Sequence, residues 1–345
     1  MKVKMIQFLN PDGGITDQEG FPSLSEKEIK KMYELMVLAR VFDNMALKLQ
    51  KEGRMLTYAS FLGQEASQVG SALAIEEQDW FTSSYRDHAV WITRGFPMEN
   101  LYLYWAGDER GMKIPAGLNA LPPTIPVSSQ IPHAVGLAWA QKLQGKKSVA
   151  LTYFGDGATS KGDFYEGLNF AGVFQIPCVF ICQNNQWAIS LPVSRQTKSE
   201  TLAQKASSCG VKGILVDGND IFAVYKITKE AIKEARQGKG PTFIECYTYR
   251  LESHTTADDW RRYRSAKEVQ EWENKDPLKR LSKYMNQKGI FGENYEEKVQ
   301  KEAEEKVKEA IQKFESLAPS SPKDMFQNVY FEPTLNLEEQ IKELE

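Results

Sequence analysis

SVALTYFGDGATSKGDFYEGLNFAGVFQIPCVFICQNNQWAIS, residues 148–190, reads as strand, glycine turn, helix, strand and polar cluster. Ser148 to Phe154 is a short, apolar, β-rich run that stops at Gly155-Asp156-Gly157, a strand meeting a turn. From Asp163 the apolar residues Phe164, Leu168, Ala171 and Phe174 recur at helical spacing until Pro177 ends the pattern. Cys178 to Cys182 is a second apolar strand. Strand, crossover helix and strand in so few residues make a right-handed βαβ unit with parallel strands. Both strands then end at one sheet edge, with Asp156 at one end and Asn184-Asn185 at the other, beside the start of the crossover helix. Open parallel sheets bind ligands at that edge, and the free N–H groups of a helix start favour an anion. Carboxylate and amide oxygens are hard donors that suit Mg²⁺, which takes one or two protein groups and fills its shell with phosphate oxygens and water. Gly-Asp-Gly alone fits an ordinary turn equally well; its pairing with Asn-Asn across one βαβ unit is what points to a metal–diphosphate site.

These residues carry a family resemblance. Gly155-Asp156-Gly157 with the closing Asn184-Asn185 resembles the thiamine diphosphate motif. GDFYEGLNFAGV and QNNQWAIS are similar to the α subunit of the decarboxylating component of 2-oxo acid dehydrogenases, nearest its pyruvate-using members, and the likeness runs from about Thr16 to the carboxyl end. The resemblance implies a thiamine diphosphate-binding fold, its diphosphate-binding half: α/β, with a doubly wound, mainly parallel sheet and flanking helices. It implies Asp156, the Asn185 side chain and the main-chain carbonyl of Trp187 as Mg²⁺ ligands. Relatives usually carry Tyr or Phe at that last position, and Trp187 keeps the carbonyl. Around the metal it implies cofactor contacts from Gly155, Asp156, Gly157 and Ala158 on the turn and from Asn185, Ala188 and Ile189 after the second strand.

Outside this unit, 345 residues suit one large α/β domain with a helical appendage. We expect an arm at 1–23, the cofactor-binding domain at 24–290 and a helical extension and tail at 291–345 packed on the same domain. A net charge of −3 gives no basic footprint for nucleic acid. No apolar run reaches membrane-spanning length, and MKVKMIQFLNPDGG has neither a signal-peptide core nor transit-peptide character, so the expected compartment is the cytoplasm. Cys178, Cys182, Cys209 and Cys246 lack CxxC spacing and read as reduced thiols, three of them in apolar or strand-like runs.

Along the chain, Leu24-Ser25-Glu26-Lys27-Glu28-Ile29 has the form of a capping box with a hydrophobic staple, opening a long helix to about Gly53. Gly63-Gln64-Glu65 opens a small-residue helix through Ile75 to which the sequence assigns no chemistry. Tyr85-Arg86 follows a strand; on the residues alone an Arg86–Asp87 surface ion pair and a phosphate contact both fit, and the resemblance implies the diphosphate contact. The Gly- and Pro-rich stretch 107–132 reads as an excursion over the site, with Val127 and Ser129 as implied cofactor contacts. In the next helix, from His133 to Leu143, Gly136/Ala140 and Ala134/Ala138 let another backbone approach, inside the subunit or at an interface; His133 itself reads as structural. Arg195 to Ser208 is polar and covers the site's edge. A further strand–helix–strand repeat delivers the loop Glu252 to Arg264, where the resemblance implies that His254 touches the diphosphate or an intermediate and helps pass the acyl group to a lipoyl arm. Trp260 stands where relatives often have Pro or a small residue. The Lys/Glu run KEAEEKVKEA is a solvated helix face, and the aromatic tail 324–332 reads as a docking segment for a partner or for the chain's own body.

The resemblance implies oxidative decarboxylation of a 2-oxo acid, pyruvate first, with branched-chain 2-oxo acids or acetoin as alternatives. Gln183 and GLNALPP favour the pyruvate branch. It implies thiamine diphosphate and Mg²⁺ as cofactors, and a β subunit, in an α₂β₂ heterotetramer, that brings the carboxylate for the aminopyrimidine ring. It further implies a lipoyl-bearing acyltransferase component that receives the acyl group. From another class, a non-catalytic Mg²⁺-diphosphate-binding regulatory subunit also fits, and the set Asp156, Asn185, Arg86 and His254 argues against it.

Overall fold

The computed structural model describes residues 4–327 and 329–344. Alternating apolar side chains bury both faces of each central strand, which requires helices on both sides. The strands are β1 (Trp80–Thr82), β2 (Ala150–Gly155), β3 (Cys178–Asn184), β4 (Lys212–Asp217) and β5 (Thr242–Tyr247), all parallel in the order β1-β2-β3-β5-β4. The helices that position the site are α1 (Glu26–Lys51), α2 (Glu65–Leu73), α3 (Gln130–Leu143), α4 (Gly162–Val173), α5 (Ile221–Arg236), α6 (Pro277–Gln287) and α7 (Tyr295–Ser316).

Phe154, Phe180 and Phe243 pack on one face with Ala134 and Ala138 of α3 and Phe164, Leu168 and Ala171 of α4. Tyr153, Val179, Ile181 and Ile244 pack on the other with Val69 of α2 and Phe222 and Val224 of α5. α4 joins β2 to β3 over the first face, and α5 joins β4 back to β5 over the second. Opposite faces and opposite stepping directions give both crossovers one hand. The α/β, doubly wound parallel sheet expected from the sequence is the fold found.

Both sheet edges are covered, which the sequence did not announce. Ile6 in the arm pairs with Val216: its N–H donates to the Leu215 carbonyl and its carbonyl accepts from Asp217 N–H, each at 2.9 Å. At the other edge Phe81 N–H donates to the Asn119 carbonyl at 3.1 Å and Thr124 N–H to the Ser83 carbonyl at 3.0 Å. Unpaired strand edges invite pairing with other chains, and these two short segments remove them. The arm, unreadable from its sequence, therefore has a structural task, and its Phe8 and Leu9 lie in the main core.

Ser25 and Glu28 form the capping box, with Glu28 N–H donating to Ser25 Oγ at 3.3 Å and Ser25 N–H to Glu28 Oε2 at 2.8 Å. Val299, Ala303 and Val307 of α7 bury in the same core as α1. Pro277 starts α6, where its missing N–H costs nothing. Cys178, Cys182 and Cys246 are buried and Cys209 is half-buried; all four are free thiols. On α3, Ala134 and Ala138 face the sheet, while Gly136 and Ala140 face outward with open space beside Gly136. His133 is exposed on that outer face.

Asp220 ties the arm to the sheet. Its Oδ2 accepts from Phe8 N–H at 2.6 Å and Leu9 N–H at 2.7 Å, and its Oδ1 caps α5 by accepting from Phe222 and Ala223 N–H groups. Burial pushes this carboxyl up to about 6. Asp220→Ala removes a helix cap and strands two buried N–H groups, so urea unfolding should show a loss of about 2–4 kcal/mol; a loss below about 1 kcal/mol would mean the arm is held by its apolar contacts alone.

Candidate functional site

The carboxyl ends of β1, β2, β3 and β5 open on one cleft of about 640 Å³. β2 ends at Gly155, Asp156 opens the turn beyond it, and Asn185 follows β3. Asp156 and Asn185 are 1% and 5% exposed. Asp156 Oδ2 accepts from Gln196 Nε2 at 2.7 Å. Burial raises its pKa, and the Gln196 bond and the neighbouring Asn185 N–H oppose that rise. Asn185 Nδ2 donates to Gln64 Oε1 at 3.1 Å, and Trp187 N–H donates to Asn185 Oδ1 at 3.3 Å. A Cβ on Gly157 would lie 2.9 Å from Ala188 Cβ, so the turn and the segment after β3 approach as closely as a glycine permits.

Two segments behind the turn hold it. Lys205 Nζ, nearly buried, donates to the Thr159 carbonyl at 2.9 Å and to Thr159 Oγ1 at 3.0 Å, and Thr159 Oγ1 donates to the Asp156 carbonyl at 2.8 Å. Glu245 on β5 accepts from Asn184 Nδ2 at 2.6 Å and from Ala203 N–H at 2.8 Å. The polar stretch 195–208 thus reaches the turn through Gln196 and Lys205. Neither contact was readable beforehand, because each joins residues about 40 or more apart with no local signature.

Arg86 is buried and makes no ion pair with Asp87. Its guanidinium donates to the carbonyls of Ser60 and His254, the latter at 2.7 Å, and lies 3.1 Å from His254 Nδ1. Asp87 instead accepts from Ser84 N–H and Oγ and from Gln183 Nε2. Tyr85 stands edge-on to the His254 ring at 6.1 Å. A guanidinium only donates, so His254 Nδ1 is the acceptor and the ring proton sits on Nε2. Burial first, then Arg86 and Arg250, push this imidazole down to about 3.

Arg250 was missed by sequence reasoning. It is 1% exposed; its Nη1 donates to the Trp187 carbonyl at 3.1 Å and its Nη2 to the Ile189 carbonyl at 2.8 Å and Tyr263 Oη at 3.1 Å. It pins Ile189 at φ +55°, a conformation a β-branched residue rarely adopts. Its position at the end of a strand was the only available sign.

Val127, Gly155, Gly157, Ala158, Ala188 and Ile189 line the cleft with Tyr85, Arg86, Asp156, Asn185, Trp187 and His254. Ser129 does not: its Oγ donates to the Pro126 carbonyl at 3.0 Å. The preceding Ser128 sits at φ +82°, which turns the chain there, so Ser128 and Gln130 lie on the wall instead. Among the described residues no cluster of three or more His, Cys, Asp or Glu could hold a metal. A Mg²⁺ site here would use Asp156 Oδ1, the Asn185 amide oxygen and the Trp187 carbonyl. These are hard oxygen donors, and Arg250 occupies only one lone pair of that carbonyl, so the donor set fits.

A neutral His254 with its proton on Nε2 should be visible by ¹⁵N NMR as an imidazole that does not titrate between pH 5 and 8. A folded value below the unfolded 6.5 makes the group stabilising above pH 6.5, a contribution lost as pH falls toward 3. The stability difference between wild type and His254→Gln should therefore shrink on acidification; a His254 resonance titrating near 6.5 would contradict this environment.

The family model for the dehydrogenase E1 component matches residues 33–323. The chain is 42% identical over 340 residues to the pyruvate dehydrogenase E1 component subunit alpha of Staphylococcus epidermidis strain RP62A, covering 98% of this chain and 92% of that protein. It has the same identity and coverage to the subunit of that name from Staphylococcus aureus strain Mu50.

Proposed function

The chain belongs to the dehydrogenase E1 component family, and from that membership and the cleft we propose that it is the α subunit of a pyruvate dehydrogenase that uses thiamine diphosphate and Mg²⁺. The observation that carries the reading is the meeting of Asp156, Asn185, Arg86 and His254 at one carboxyl edge of a parallel sheet. In this reading Asp156, Asn185 and the Trp187 carbonyl hold the metal. Arg86, Tyr85 and the Gly155–Ala158 turn hold the diphosphate, with Val127, Ala188 and Ile189 against the rings. When bound, thiamine diphosphate supplies a carbon nucleophile for the 2-oxo group and an electron sink for the pair left by CO₂.

The chain's own residues bind, orient and exclude water. Lys205 and Gln196 fix the turn that carries Asp156. His254, kept neutral, offers one Nε2–H donor to the acyl group during its transfer to the lipoyl arm of an acyltransferase component. Both carboxylates on the cleft wall, Asp87 and Asp156, already accept hydrogen bonds. The carboxylate that the aminopyrimidine ring requires is assigned, as the family resemblance implies, to a β subunit in an α₂β₂ heterotetramer. Ile125, Val127 and Ile189 on the cleft wall are 52%, 44% and 54% exposed, an apolar rim suited to cover by that partner. Tyr330 and Phe331 in the tail are also exposed, which supports docking on a partner over docking on the chain's own body.

Gln183 supports pyruvate over branched-chain substrates. It is 2% exposed and bonded to Gln68, Ser67 and Asp87, so both ends of its amide are used at the position where branched-chain relatives tend to carry Arg. No helix among the described residues is long and apolar enough to cross a membrane, and cytoplasmic residence is part of the proposal.

The test is to co-purify the chain with its candidate β partner, add thiamine diphosphate and Mg²⁺, and follow an artificial electron acceptor with pyruvate, a branched-chain 2-oxo acid and acetoin in parallel. Pyruvate should be preferred, the chain without its partner should show at most trace turnover, and Asp156→Ala should weaken cofactor binding about 100-fold or more. Full turnover by the chain alone would overturn the two-subunit reading. Tight cofactor binding without turnover in the assembled particle would favour a regulatory protein.

A further inference from the structure

Gly63-Gln64-Glu65 is the motif left without chemistry by the sequence. Glu65 is accounted for: it is buried, pairs with Arg40 and accepts from Gly63 N–H at 3.0 Å. Gln64 occupies the cap position of α2 yet makes no side-chain cap bond, so the helix does not use its amide. The residue is 1% exposed and lies on the wall of the cleft.

Its Oε1 accepts from Asn185 Nδ2 at 3.1 Å. The orientation of the two amides is not arbitrary. Trp187 N–H, a backbone donor, donates to Asn185 Oδ1 at 3.3 Å, so Asn185 must turn its NH₂ toward Gln64 and Gln64 must answer with its oxygen. The Gln64 NH₂ is thereby fixed on the other side, where Nε2 is buried with no hydrogen-bond partner. The same cleft is also lined by Arg86 and Arg250, which can only donate. What is missing is an acceptor, and the surplus of donors calls for an anionic one.

We infer that Gln64 is a two-sided residue: its oxygen sets the rotation of the Asn185 amide so that Oδ1 faces the metal, and its nitrogen donates to an anionic oxygen of the diphosphate. The inference rests on the thiamine diphosphate reading above. On the first side Gln64 is a positioning residue acting through Asn185; on the second it touches the cofactor.

The test uses the full chain with its β partner, with thiamine diphosphate and Mn²⁺ as probes. Cofactor binding is read by calorimetry and Mn²⁺ binding by electron paramagnetic resonance. Gln64→Glu keeps an oxygen for Asn185 Nδ2 and replaces the donor with an acceptor. At pH 8 its Kd for thiamine diphosphate should rise at least about tenfold, with a smaller change for Mn²⁺. Gln64→Leu removes both functions, so both Kd values should rise about tenfold or more. Gln64→Met, of similar shape, replaces it should Gln64→Leu fail to fold.

Gln64→Glu binding the cofactor like wild type at pH 8 would overturn the donor role. An unchanged Mn²⁺ Kd in the apolar variant would overturn the orienting role. A wild-type particle that binds neither probe would overturn the thiamine diphosphate reading and this inference with it, whereas variant-only outcomes bear on Gln64 alone.

Discussion

In the parallel ladder of β2 and β3, Gly155 stands opposite Gln183, and in that of β3 and β5, Asn184 stands opposite Tyr247. All three strands therefore leave the sheet at one level. Parallel pairing compels this: chains running the same way and paired in register release their loops at the same edge. Asp156 follows β2, Asn185 follows β3, and Arg250 follows β5, where Thr248 N–H still donates to the Asn184 carbonyl at 2.9 Å and Arg250 N–H to the Asn185 carbonyl at 3.3 Å. β1 adds Arg86 by the same route. A slip of one residue in any of these ladders would move a polar group from the cleft to the opposite face of the sheet.

Register brings the groups together; buried hydrogen bonds decide which way they face. A polar atom removed from water must find a partner, and each partner found here is a fixed one. Gln183 illustrates this: its oxygen accepts from Gln68 and Ser67 and its nitrogen donates to Asp87, so α2, β3 and the segment after β1 share one buried network. Asp43 does the same for the wall beneath Arg86, accepting from Tyr58 Oη at 2.7 Å, Ser60 Oγ and Phe61 N–H. Ser60 in turn gives its carbonyl to Arg86. The site is thus positioned by groups up to two bonds removed from the cleft.

The division between what was legible and what was not follows from the range of each interaction. The βαβ unit, the capping box and the Asp156/Asn185 pairing are written in local periodicity and turn residues, and they were found. The arm's pairing with β4 joins Ile6 to Val216, and the Gln64 contact joins α2 to the end of β3; no local pattern encodes either. Ser129 came with the resemblance alone, and φ +82° at Ser128 turns the chain so that Ser128 and Gln130 line the cleft instead. The small residues of α3 pointed to a close approach, and the fold shows one such pair used by the sheet and the other left facing outward. Arg250 was hidden for a different reason: its sequence neighbours are unremarkable, and its importance comes from charge burial, which only the folded chain creates.

That charge burial says most about the ligand. Arg86 and Arg250 are 6% and 1% exposed, and their hydrogen-bond partners are carbonyl oxygens, a tyrosine hydroxyl and His254, with no carboxylate among them. Burial and the nearby Arg86 push Arg250 down to about 10, still far enough above neutrality to keep it charged. Two buried guanidinium groups are solvated by dipoles alone, an arrangement that costs stability unless a counter-charge arrives. Elsewhere, buried Arg280 pairs with Asp217 at 2.7 Å and half-buried Arg40 with Glu65 and Asp276, whereas buried Arg264, beside the same strand end, also has carbonyl partners. The fold therefore has the means to neutralise a buried arginine and does not use it at the cleft. Of the two carboxylates on the cleft wall, Asp87 is held by Ser84 and Gln183, and Asp156 is held by Gln196 and lies beside Asn185, where a divalent cation would claim it. Cations from two strand ends facing a metal-ligand pair from two others is the charge pattern that a metal-bound diphosphate completes, since its oxygens satisfy both sides at once.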